Sequence, residues 1–75
     1  MNRRLAICYV DEQHARLLFD GRARIENLPA GYELIRVIYD AVRCAFGLLV
    51  THDSFDLVPL GQLPPSFVAE LALLD

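Results

Sequence analysis

The chain has 75 residues and a formal net charge of −3, with 55% hydrophobic and 23% charged residues. That length holds a single domain, and so apolar a composition excludes intrinsic disorder. The longest uninterrupted apolar run, Cys44 to Val50, is far shorter than the roughly 20 residues needed to cross a bilayer. The apolar stretch behind Arg3-Arg4 is cut at Asp11-Glu12 with no small-residue cleavage site after it, so it does not read as a secretion signal.

In chain order, Leu5 to Val10 (LAICYV) is rich in strand formers and predicts a first strand, ending in a polar turn at Asp11-Glu12-Gln13-His14. Ala15, Leu17 and Phe19 follow at strand period around Arg16, interrupted by Leu18. Asp20-Gly21 is the best short hairpin signal in the chain. Ala23 and Ile25 then alternate with Arg22, Arg24 and Glu26. A two-residue loop sets Phe19 opposite Arg22 and Leu17 opposite Arg24. A three-residue loop, Asp20-Gly21-Arg22, sets Phe19 opposite Ala23, Leu17 opposite Ile25 and Arg16 opposite Glu26. Side chains alternate faces, so the second register is expected. The same parity places Leu5, Ile7 and Tyr9 on the buried face.

Asn27-Leu28-Pro29-Ala30-Gly31 is a break. The stretch from Glu33 to Val50 supports two readings. Its polar residues, Glu33, Arg36, Asp40 and Arg43, recur at steps of three and four, as on one amphipathic helix over 32–50, which would give an α+β fold. The same residues make a hairpin. Ile35, Val37 and Tyr39 then face inward, Asp40-Ala41-Val42-Arg43 turns with Asp at the favoured first position, and Cys44, Phe46, Leu48 and Val50 face inward on the return. The hairpin is favoured. Ile35, Val37, Ile38, Val42 and Val50 are β-branched, and Gly47 would cost about 1 kcal/mol inside a helix. His52 to Pro65 is irregular, with three Pro and one Gly, and Ser66 is placed to cap a short helix over 67–74. The expectation is a mainly β domain: a small antiparallel meander of about five strands over 1–51, then an extended tail and short C-terminal helix over 52–75.

All seven basic residues are Arg. Residues 1–43 carry seven Arg against six carboxylates, and residues 44–75 carry four carboxylates and no Arg. An acidic, apolar C-terminal half is the wrong footprint for a general nucleic-acid binder. It suits docking on a basic protein surface or on the basic half of a second copy. Cys8 and Cys44 sit in apolar runs and read as reduced thiols of a cytoplasmic protein.

Catalytic and metal motifs are weak. His14 and His52 lack a ligand partner at helical spacing, and there is no Cys-x-x-Cys. Ser54 stands beside His52 and Asp53, but triads converge in space, and near neighbours in sequence point apart. Asp53 and Asp56 read as a solvated loop. The four glycines are too scattered for a phosphate-cradling loop. No cofactor is expected.

A 75-residue chain buries only about 60% of its unfolded surface, and so small a core rarely supplies more than about 3–5 kcal/mol. Two cysteines allow at most one disulfide, so the surplus of apolar residues points to association. The expected class is a non-catalytic protein–protein interaction module, self-associating as a homo-oligomer. It could serve as an accessory or inhibitor protein of phage or mobile-element type. Phe55, Val58, Leu60 and Leu63, in the Pro-containing extended segment, are the candidate partner-binding arm. Two alternatives remain open. One is a nucleic-acid or anion binder using Arg16, Arg22 and Arg24 on the solvent face of the first hairpin. The other is an enzyme whose site is shared across an oligomer interface, drawing on His14, His52 or Asp53.

Overall fold

The structure is a computed structural model that describes residues 3–74. Its elements are β1 (Arg3–Asp11), α1 (Glu12–Phe19), β2 (Ala23–Ile25), β3 (Glu33–Asp40), β4 (Ala45–Thr51), β5 (Leu57–Val58), β6 (Ser66–Val68) and β7 (Leu71–Leu73). The protein is mainly β and mainly antiparallel, with one short helix, as its strand-forming composition predicts. Among the described residues no helix is long and apolar enough to cross a membrane.

β1 is the central strand. It pairs antiparallel with β4 along Leu5–Asp11. Its other edge takes β5 antiparallel at Arg3-Arg4 and β6 parallel at Ile7–Tyr9. β3 lies outside β4, and β2 pairs with β7 in a separate two-stranded sheet. The expected hairpin is present. β3 and β4 are joined by a four-residue turn in which the Asp40 carboxylate accepts the backbone N–H groups of Val42 and Arg43 at 3.1 and 3.3 Å. The β-branched content of the stretch thus prevails over its helical polar spacing.

The helix falls elsewhere than expected. Residues 12–19 form α1 rather than a turn and strand. Asp11 is the N-cap, its side chain accepting the His14 N–H at 2.7 Å. Glu12 in the first turn and Arg16 in the last complement the helix dipole. Ala15 and Leu18, three apart, point into the core. Leu18, which breaks the strand alternation, is therefore the helical signal.

Asp20-Gly21 closes the helix instead of turning a hairpin. Gly21, at φ +75°, donates to the Leu18 carbonyl, and Arg22 donates to the Leu17 carbonyl. These paired bonds form a Schellman cap.

The C-terminal helix expected over 67–74 is absent. Ser66–Val68 instead fills the free edge of β1, and Leu71–Leu73 completes the ladder of β2. Eight residues make a marginal helix, and two open strand edges offer their backbone groups better partners.

The core lies on one face of the main sheet. Ala6, Cys8 and Val10 of β1 and Leu48 and Val50 of β4 pack under Ala15 and Ile25, ringed by Leu18, Leu28, Phe46, Phe55, Phe67, Ala69 and Leu71. Leu5, Ile7 and Tyr9, expected inside, point to the opposite face. Their assignment followed from the hairpin at 20–22, and α1 replaces that hairpin. Phe46, Leu48 and Val50 face inward as expected. Cys44 does not, because it belongs to the turn, at φ +50°, and is exposed.

Candidate functional site

β3 is an edge strand with apolar side chains exposed along its length. α1 covers β1 and β4 on one face, and it meets β3 at Tyr39 through Glu12. Leu34, Ile35, Val37, Ile38 and Tyr39 are between 41% and 52% exposed, on both faces of the strand. Its inner edge bonds to β4, and its outer edge has no strand partner among the described residues. A bulge at Ile35 shifts the register between Leu34 and Arg36, leaving Arg36–Asp40 as the regular stretch. Ile35, Val37 and Tyr39 are therefore not the buried row expected of them. Val37 and Tyr39 do share the core-side face, opposite Leu48 and Phe46. The Tyr39 ring meets Phe46 edge-on at 5.1 Å, and its hydroxyl donates to Glu12 at 3.3 Å. At the tip of the turn Val42 is 96% exposed.

The sheet face away from α1 carries an apolar strip, with Arg36 and Asp40 flanking Ile38 on β3. Ile38, Gly47 and Tyr9 lie in one cross-strand row, with Ile7 and Leu49 in the next. A Cβ on Gly47 would stand 3.3 Å from Ile7 and Tyr9 side-chain carbons, so glycine there lets these side chains close over the sheet. The Arg43 guanidinium lies 4.3 Å from the centroid of the Tyr9 ring and 3.4 Å from the Asp40 carboxylate.

The four residues of the candidate arm divide. Val58 is buried and Phe55 packs against the core, whereas Leu60 and Leu63 are almost fully exposed at 81% and 90%. Leu60 sits in a tight turn closed by Gln62 donating to the Pro59 carbonyl, with Gly61 at φ +87°. The arginine row expected on one hairpin face is not formed. Arg16 lies on α1, Arg22 in the cap and Arg24 on β2, and Arg16 and Arg24 line different grooves.

His52 and Ser54 do come together, contrary to the expectation that they point apart. A turn over 52–55 brings Nδ1 of His52 within 2.7 Å of the Ser54 hydroxyl, and the Ser54 N–H also donates to it. Nε2 of His52 faces the Ala30 carbonyl at 2.9 Å, so it carries the proton and Nδ1 is the acceptor. The pair ties the exit of β4 to the loop after β2. His14 stands at the start of α1, and Asp53 and Asp56 are exposed. Among the described residues no three His, Cys, Asp or Glu converge as metal ligands would. Cys8 is fully buried, and desolvation pushes its thiol up to about 11.

The chain exposes 5471 Å². A compact monomer of 8.5 kDa exposes about 4,650 Å², and a flat body with extents of 39 × 29 × 16 Å exposes more. The sequence does carry a sign of the exposed β3: between Leu34 and Tyr39 only Arg36 is polar, so the strand lacks the alternation of a one-sided strand. No protein-family model, curated protein or solved structure matches the chain.

Proposed function

We propose that this protein is a non-catalytic interaction module that self-associates through β3. The observation that carries the reading is the exposed, apolar, unpaired edge of that strand. Single chains guard such an edge with charged side chains, above all lysine, with proline, with bulges or with a covering loop. β3 has no lysine or proline, its bulge lies at one end, and between Arg36 and Asp40 its three residues are uncharged and its ladder is regular, so that stretch is the least guarded. Leu60 and Leu63 offer a separate apolar point for a different protein. The free thiols, one of them exposed, suit a reducing compartment such as the cytoplasm.

The test is mass in solution, by light scattering, from one to 100 micromolar. A dimer or larger assembly is expected within that range. A monomer throughout overturns the reading.

A further inference from the structure

We propose that the occupant of the β3 edge is a second copy of the same strand, antiparallel, with Ile38 on the two-fold axis. The proposal rests on the self-association reading above and specifies its geometry. In an isologous pair each contact occurs twice, residue i against j and j against i. With the axis at Ile38, opposing residues number 76 together. Arg36 then lies opposite Asp40 of the second copy and Asp40 opposite its Arg36. Val37 lies opposite Tyr39, and Ile38 meets Ile38.

Arg36, Ile38 and Asp40 share one face of β3 by strand alternation, so both charge pairs and the central apolar pair form on that face. Val37 and Tyr39 share the other. The strand is thus complementary to itself in charge as well as in apolar character. Other registers are not. With the axis at Arg36, two guanidiniums oppose each other; with the axis between Arg36 and Val37, Glu33 opposes Asp40. Directly opposed like charges destabilise a pair of strands. Pairing Glu33 with Arg36 would run through the bulge at Ile35.

Two further features agree. The regular stretch Arg36–Asp40 is the one centred on Ile38, so the bulges flank the pairing instead of interrupting it. On the other side the chain turns back into β4 over residues 41–44, so the paired stretch ends where the strand does, with Val42 exposed at the tip of that turn. Asp40 already holds Arg43 at 3.4 Å on one carboxylate oxygen and the Val42 and Arg43 N–H groups on the other, and its side chain remains partly exposed, so the Arg36 of the second copy would share a carboxylate that also anchors the turn.

The experiment is a charge-swap pair. Arg36→Glu places two acids opposite each other twice, and Asp40→Lys places two bases. Each variant alone is expected to raise the dimer dissociation constant by about tenfold or more, with circular dichroism showing that it still folds. Mixed in equal amounts, they restore both charge pairs and recover a heterodimer. A cross-link reports the axis independently. In a Cys44→Asn background, Ile38→Cys is expected to form a disulfide dimer under mild oxidation, and Val37→Cys is not. A wild-type protein that is monomeric throughout overturns self-association itself. A dimer that ignores both charge variants and fails to cross-link at position 38 overturns this geometry and leaves self-association standing. Mass corresponding to a complex with a different protein, without a homodimer, overturns both.

Discussion

The carboxylate of Asp11 holds two groups of His14 at once. It accepts the backbone N–H at 2.7 Å, and its two oxygens lie 2.6 and 2.7 Å from ring Nδ1. The backbone bond first, then the ring bond, holds the Asp11 carboxyl below its ordinary value of 3.8. A depressed carboxyl contributes stability that is present above its unfolded value and is lost as pH falls through the folded one. Asp11→Ala is therefore expected to lower Tm by a few degrees at neutral pH, and Asp11→Asn by less, because Asn also caps. The gap between wild type and Asp11→Ala should close as pH is taken below about 4. Thermal melts by circular dichroism across that range check it, and an unchanged gap at pH 2 counts against the cap.

Gly21 supplies the opposite end of the same helix. At φ +75° it occupies the left-handed conformation, and a Cβ there would meet nothing within 4 Å. The cost of Gly21→Ala is therefore purely conformational, about 1 kcal/mol. Gly21→Asn should cost less, since Asn tolerates that conformation. Urea unfolding of the two variants tests the ranking.

These two ends explain how far the sequence could be read. A strand at Leu5–Val10 and a hairpin around Asp40 are local events, set by β-branched side chains and an Asp-led turn, and both are legible. Residues 12–19 are ambiguous because Asp-Glu-Gln-His serves as a turn or as a cap and first turn. Asp-Gly likewise suits a hairpin loop or a Schellman cap. Leu18 separates the cases, since it fits a helical face with Ala15 and breaks a strand. The fates of Ser66–Val68 and Leu71–Leu73 are not local. They depend on which edges β1 and β2 leave open. The exposed apolar strand lies between: the run without a polar residue from Val37 to Tyr39 is visible in the sequence, but its exposure follows from β3 taking the edge of the sheet.

Cys8 and Cys44 should behave as two distinct thiols. Cys44 is exposed, and Cys8 is buried with its thiol pushed from 9.0 up to about 11 by desolvation. A thiol reagent at pH 8 is expected to modify one cysteine per chain quickly and the second only on unfolding. Tyr39 is also raised, by desolvation and then by the charge of Glu12. Raised groups contribute stability below their unfolded values and lose it as pH climbs through the folded ones. Stability should then fall between about pH 9 and 11, and less so in Cys8→Ala, which removes the larger titration. Urea midpoints measured from pH 8 to 11 provide the check. Equal alkaline losses in both proteins would show that Cys8 is not the group responsible.

Asn27 joins the small sheet to the main one. Its side-chain N–H donates to the Val68 carbonyl at 2.9 Å, and its side-chain oxygen accepts the Glu70 N–H at 2.9 Å. Beside it the Glu26 N–H donates to the Glu70 carbonyl at 2.7 Å. One amide thus spans the link between β6 and β7, where the chain leaves β1 for β2. Removing both bonds with Asn27→Ala should cost about 1–3 kcal/mol, at about 0.5–1.5 kcal/mol for each. The loss should be uneven in space. β7 is held to the rest by its three-residue ladder with β2 and by the Leu74 N–H donating to the Arg22 carbonyl, so it should open first. Hydrogen exchange is the suitable measurement. Amides of Leu71–Leu73 are expected to lose protection in Asn27→Ala while those of β1 and β4 keep most of theirs. Uniform loss across the chain would mean that the two sheets unfold as one unit, with Asn27 contributing only to their shared stability.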